Sequence, residues 1–217
     1  MTDSPLITAT TAFVKEQLRN AEGGHDWFHI ERVYHNAMRI ASGEKADMTV
    51  VQLGALLHDI ADSKFHGGDE TIGPDIARQF LESRNVEKAV TNHVINIIRH
   101  ISFKNSFGTQ KFRSAELDIV QDADRLDAIG AIGIARAFNY GGFKNRELYN
   151  PEIPPVEHVS GKTYKNNTAP TINHFYEKLL RLKENMNTGT GRKMAEERHR
   201  FMEGFLRQFY AEWKGEC

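Results

Sequence analysis

The stretch LLHDIAD at residues 56–62 decides how this sequence is read, because an apolar run with helical spacing ends there in His58-Asp59, two adjacent metal-competent side chains. Buried without partners, an imidazole and a carboxylate would forfeit their hydration for nothing, so something must satisfy them. Adjacent residues on a helix point about 100° apart. Both can nevertheless reach one ion lying over the helix end, and further ligands must then come from other segments. A His-Asp pair alone is common by chance.

Outward from this stretch, apolar residues recur at helical spacing: Phe13, Val14 and Leu18; Val33, Ala37, Met38 and Ile40; Leu53, Leu56, Leu57 and Ile60. No strand alternation is convincing. The spacing predicts helices over about 5–20, 26–43, 47–61, 70–84, 86–101, 114–128, 130–140, 171–187 and 190–214, hence an all-α, single-domain helical bundle spanning 1–217. Asp26 is placed to cap the helix near 26 after the Gly23-Gly24 turn, which puts His29 in its first turn, where a side chain can face a cleft. Residues 141–169, GGFKNRELYNPEIPPVEHVSGKTYKNNTA, lack helical periodicity, and a connection of this length reads as a flap. The C-terminal helices occupy about 170–215. The last carries Phe201, Phe205, Leu206, Phe209, Tyr210 and Trp213; covering the core is the preferred reading of this stripe, and a surface for a homodimer is the other.

Composition narrows the function. A chain of 217 residues holds one full core without needing a second domain. The 28 basic and 29 acidic residues give a net charge of −1, so no large field draws nucleic acid or an anionic membrane, and a small ligand fits better. The one cysteine, Cys217, is the last residue, which excludes a disulfide framework or a Cys-based zinc site. With no signal-like leader and no run of about 18 apolar residues, cytoplasmic residence and no membrane partner are the expectations.

Two further segments strengthen the reading of His58-Asp59. Asp26-Trp-Phe-His29-Ile-Glu-Arg32-Val33 supplies a histidine near a helix start, and Gln121-Asp-Ala-Asp124-Arg-Leu-Asp127 supplies carboxylates in an otherwise apolar helix. The order His, His-Asp, Asp, with His29 in H-x-x-R-V, His58-Asp59 after Ala-Leu-Leu, and Asp124 in D-A-D-R-L-D-A-I-G, resembles the HD-domain phosphohydrolase superfamily. Within it, the chain is similar to the YedJ/YpgQ-like branch of small single-domain bacterial hydrolases. The resemblance runs from about residue 25 to about 142 and implies that His29, His58, Asp59 and Asp124 coordinate one divalent ion.

Two imidazoles and two carboxylates without a thiolate suit Mn²⁺, Fe²⁺, Co²⁺, Ni²⁺, Zn²⁺ or Mg²⁺, and manganese is the expectation. Four protein ligands leave open positions for a water, made nucleophilic at neutral pH, and for a phosphoryl oxygen. In many HD nucleotidases a carboxylate at the spacing of Asp62 acts as general acid or base, so Asp62 is the catalytic candidate against the plainer role of helix-end cap. Asp127, on the same face as Asp124 by the i,i+3 rule, is expected to orient a ligand or water. Lys64, His66, His100 and Lys104 are the expected substrate contacts. Arg32 and Arg125 read as buried partners of nearby acids, and His93 as a satisfied histidine on an apolar helix. His25 is left outside the ligand set because Asp26 looks like the cap.

Gly130-Ala-Ile-Gly133 follows no strand and reads as small residues that let helices pack, not as a dinucleotide loop; Gly189-Thr-Gly-Arg192 reads as a turn and helix start, not a P-loop. The leading expectation is a metal-dependent phosphohydrolase acting on a phosphorylated small molecule, a nucleotide by the resemblance, cleaving nucleoside or deoxynucleoside triphosphates with release of pyrophosphate. A 5′-nucleotidase or other phosphoesterase on the same site is the next reading. A nucleotide-binding module without turnover and a plain helical scaffold stand behind them.

Overall fold

The computed structural model describes residues 4–19, 21, 26–61, 69, 71–101, 112–156 and 168–217. Among them lie nine α-helices, one 3-10 helix and no strand, the expected all-α class. They are α1 (Pro5–Gln17), α2 (Trp27–Ala41), α3 (Met48–Leu57), α4 (Ile72–Ser83), α5 (Lys88–His100), α6 (Ala115–Asp127), α7 (Gly130–Phe143), α8 (Thr171–Glu177), the 3-10 helix Leu179–Asn185, and α9 (Gly189–Lys214).

The chain divides into two compact units, Met1–Asp124 and Arg125–Cys217. In the first, α3 packs on α1, α2 and α5, and α4 packs on α5. Helix α3 is apolar all round and buries Val50, Val51, Leu53, Ala55, Leu56 and Leu57. Beyond its exposed first turn at Met48 and Thr49, such a helix sits at the centre. A Cβ on its Gly54 would stand 3.2 Å from Ile97 Cδ1 and 3.4 Å from Val120 Cγ2, so the missing side chain lets α5 and α6 approach closely. Each fully buried Leu, Ile or Val of this core contributes roughly 1.5–3 kcal/mol. In the second unit α9 packs on α7 and on the 3-10 helix, around Phe138, Phe175 and Phe205, whose ring centroids lie 5.8–6.1 Å apart.

The cap expected at Asp26 is present, and the helix start expected at 189–192 has a cap of its own. The Asp26 carboxylate accepts from the His29 N–H at 3.0 Å, and the Thr188 hydroxyl accepts from the Gly191 N–H at 2.9 Å, so 189–192 is indeed a helix start. Three boundaries differ from expectation. Helix α3 stops at Leu57, leaving His58 and Asp59 in the turn that follows. Helix α7 runs on to Phe143, taking in Gly141, where a Cβ would meet Thr171 Oγ1 at 2.2 Å. The predicted helix over 171–187 breaks at Lys178 and continues as a 3-10 helix. Its buried Leu179 and Leu182 are spaced i,i+3, which a 3-10 helix aligns as well as an α-helix does.

The two glycines of 130–133 do different jobs. Gly130 has φ +77° and meets the Arg198 side chain of α9, whereas a Cβ on Gly133 would lie 2.3 Å from the Ala128 carbonyl oxygen in its own preceding turn. The aromatic stripe of α9 divides likewise. Phe205 lies in the Phe138–Phe175 cluster; Phe209, Tyr210 and Trp213 gather round Tyr149; Phe201 and Trp213 are more than half exposed. Residues 157–167 of the predicted flap lie outside the described residues, and no described helix is long and apolar enough to cross a membrane.

Candidate metal centre

The site is assembled in the first unit, from the start of α2, the end of α3 and the last turns of α6. Asp26 caps α2, so the first turn forms on a fixed stem and His29 enters the interior with only 2% of its surface exposed. The end of α3, like any helix end, leaves carbonyls without helical partners. His58 Nδ1 lies 2.8 Å from the Ala55 carbonyl oxygen. A carbonyl can only accept, so Nδ1 carries the proton and Nε2 carries the lone pair.

That Nε2 is buried and makes no hydrogen bond among the described residues. It faces a ring of donors. The ligand atoms of His29, His58 and Asp59 all lie within 4.8 Å of one another. Asp124 Oδ1 lies 3.5 Å from His29 Nε2 and 3.9 Å from His58 Nε2. The two rings meet edge-on, with centroids 5.3 Å apart. Burial holds the His58 pKa below its ordinary value and His29 lowers it further, against the pull of Asp124, Asp59 and the Ala55 hydrogen bond. The imidazole is therefore neutral, as a ligand must be.

These residues fit a divalent ion. Metal–ligand bonds of about 2.0–2.2 Å set neighbouring donor atoms roughly 3–3.5 Å apart, close to the separations here. A buried lone pair without a hydrogen bond is costly unless something accepts it. The Asp124 side chain is 40% exposed while both imidazoles are 3% exposed, so the cluster is closed behind the histidines and open beside the carboxylate. This is the arrangement of a centre that keeps room for substrate.

Other expected site residues fall differently. Asp127 is buried in the second unit, where Arg136 donates to its carboxylate, and Arg198, its own pKa drawn down by burial and raised by Asp127, donates to the Leu126 carbonyl. Its carboxylate thus has a structural partner beside any role with a ligand or water. His100 Nδ1 bonds the Asn96 carbonyl at 2.8 Å and the ring stands 5.6 Å from that of Phe112. Arg125 donates to the Asn185 carbonyl, and His93 Nε2 is satisfied by Ser114 Oγ at 2.8 Å and Glu116 Oε2 at 3.3 Å. Asp62, Lys64, His66, Lys104 and His25 lie outside the described residues. Sequence reasoning did not find the Ala55 carbonyl, since no residue type marks a backbone acceptor, nor the Arg136 partner of Asp127, nine residues away across a turn.

Residues 27–129 match the HD domain family. The YpgQ protein of Bacillus subtilis is 41% identical over 199 residues, which cover 90% of this chain and 88% of that one. A crystal structure of an HD-superfamily hydrolase from Bacillus thuringiensis superposes with a TM-score of 0.77 at 42% identity, covering 96% of each chain. The crystal structure of Bacillus subtilis YpgQ in complex with ADP superposes with a TM-score of 0.74 at 37% identity, covering 95% of this chain and 94% of that one.

Proposed function

From the premise that this chain belongs to the HD domain family and is a metal-dependent phosphohydrolase, we propose that it hydrolyses nucleotides, cleaving nucleoside or deoxynucleoside triphosphates with release of pyrophosphate. The observation that carries the reading is the buried, unbonded Nε2 of His58 beside His29, Asp59 and Asp124. ADP bound to a relative 37% identical supports a nucleotide as ligand.

In this reading His29, His58, Asp59 and Asp124 hold one divalent ion, taken to be manganese. When bound, the ion supplies Lewis acidity at a phosphoryl oxygen and an acidified water. The chain's own residues do the rest. Asp59 and Asp124 bring negative charge that offsets the ion, and the buried imidazoles of His29 and His58 close the centre behind it. Asp62, three residues after Asp59, accepts the proton of the attacking water or returns one to the leaving oxygen. Lys64, His66, His100 and Lys104 bind the phosphate chain, and Asp127 orients a ligand or water. The bond formed is oxygen to phosphorus, and the bond broken is the α–β anhydride, so the products are a nucleoside monophosphate and pyrophosphate.

The test is release of phosphate and pyrophosphate from a panel of nucleoside tri-, di- and monophosphates, with Mn²⁺ added to protein purified without chelator and Asp59→Ala alongside. Pyrophosphate from triphosphates, absent in the variant, is the expected result. Phosphate from monophosphates instead would make the enzyme a nucleotidase, and a raised melting temperature without product from any substrate would leave a binding role only.

A further inference from the structure

Two of the four proposed ligands, His29 on α2 and Asp124 on α6, are 95 residues apart in the chain, yet their side chains meet at 3.5 Å. What packs around α6 is largely apolar: Val120 and Ala123 are fully buried, as are Val33 and Ala37 of α2. The hydrophobic driving force is non-directional; side-chain packing limits the rotation and height of a helix, and directional hydrogen bonds sharpen both.

Three such bonds are made within one turn of Asp124. Asn36 Nδ2 donates to the backbone carbonyl of Ala123, the residue before Asp124, at 3.3 Å. Asn36 follows His29 by seven residues, two turns on, so one face of α2 presents the imidazole to the Asp124 carboxylate and the amide to the Ala123 backbone. Gln121 precedes Asp124 by one turn and is 2% exposed. Its Nε2 donates to the carbonyls of His100 at 3.1 Å and Ile101 at 3.4 Å, at the C-terminal end of α5 where carbonyls lack helical partners.

We propose that Asn36 and Gln121 are positioning residues of the metal centre: they pin α6 against α2 and α5 at the rotation and height that bring the Asp124 carboxylate onto His29 and His58. This rests on the reading that these residues hold an ion. Asn36 acts on the backbone carbonyl next to Asp124, and Gln121, one turn before Asp124, ties α6 to the end of α5.

The test uses the full chain and Mn²⁺ alone as probe. Metal affinity is measured by calorimetric titration of the metal-free protein, and the electron paramagnetic resonance spectrum of the bound ion is recorded, for the wild type, Asn36→Leu, Gln121→Met and Asn36→Gln, which keeps the amide. His58→Ala is the control. The expected result is affinity weakened about 10–100-fold in Asn36→Leu and Gln121→Met, as for other residues that orient ligands, with an altered spectrum and partial recovery in Asn36→Gln. Urea midpoints of the metal-free proteins are measured alongside. Affinities within twofold of wild type with an unchanged spectrum would overturn the proposal, and so would losses that merely follow the urea midpoint in every variant, Asn36→Gln included. If the wild type binds no better than His58→Ala, the metal centre itself is wrong and the positioning role goes with it.

Discussion

His58 Nδ1 donates to the carbonyl oxygen of Ala55, one turn back at the end of α3, and this single bond of 2.8 Å turns the ring so that its other nitrogen faces His29 and Asp124. It also occupies a carbonyl that the helix end would otherwise leave without a partner. One bond thus satisfies a carbonyl at a helix end and orients the imidazole.

The first prediction concerns that nitrogen. Mn²⁺ at 100 times its dissociation constant should stabilise the wild-type protein by about 2.7 kcal/mol. His58→Ala should lose this increment, and hydrolysis should fall by at least about 100-fold. Thermal melts with Mn²⁺ and with chelator check it; a full Mn²⁺ shift in the variant would show that Nε2 is not a ligand.

Two carboxylates of α6, Asp124 and Asp127, should separate cleanly. Asp124 is 40% exposed and Asp127 is 1% exposed beside Arg136. Asp124→Asn should leave the stability of the metal-free protein within about 0.5 kcal/mol while weakening Mn²⁺ binding. Asp127→Asn should cost roughly 1–3 kcal/mol, less than a fully buried pair because Arg136 is 29% exposed. Urea unfolding of the metal-free proteins reads both; equal stability losses would remove the distinction.

Alanine is the better helix former by about 1 kcal/mol, yet Gly133→Ala should destabilise. A Cβ there would sit 2.3 Å from the backbone oxygen of Ala128, which cannot rotate away as a side chain would. A net loss of roughly 1–3 kcal/mol is expected, and a rise in melting temperature would contradict it.

His174 supplies a pH dependence. Burial, then the nearby Lys178 and Arg146 charges, push its pKa down from 6.5 to about 3. Between pH 6.5 and about 3 the unfolded chain therefore takes up a proton that the folded chain refuses. Its neutral form is fully accommodated above pH 6.5, and stability falls as the pH drops through that window, with a slope of at most about 1.4 kcal/mol per pH unit from this group. Urea titrations of the wild type and His174→Gln from pH 7.5 to 4.5 should show the wild type losing ground relative to the variant as the pH falls. Parallel curves would assign the acid sensitivity elsewhere.

Much of this was readable in the chain itself. Apolar spacing along Val33-Ala37-Ile40 and Leu53-Leu56-Leu57 marks helices because burial of one face repeats with the helical turn, and those residues are indeed buried. Asp26 announces a helix start because its side chain can accept an N–H that the helix leaves free. The break at Lys178 was not readable, since 3-10 and α-helical spacing align Leu179 and Leu182 equally.

His29, His58-Asp59 and Asp124 could be named from the chain because their residue types bind metal and their motif order resembles a known family. That identity says nothing of which nitrogen faces inward or how far apart the atoms stand. The 3.5 Å between His29 and Asp124 and the Asn36 and Gln121 hydrogen bonds beside them exist only when α2, α5 and α6 are packed together, and the Ala55 carbonyl that selects the His58 tautomer is a backbone acceptor that no residue type marks. Side-chain chemistry is local and written residue by residue; the direction and spacing of lone pairs belong to the packed helices, and tertiary structure alone decides them.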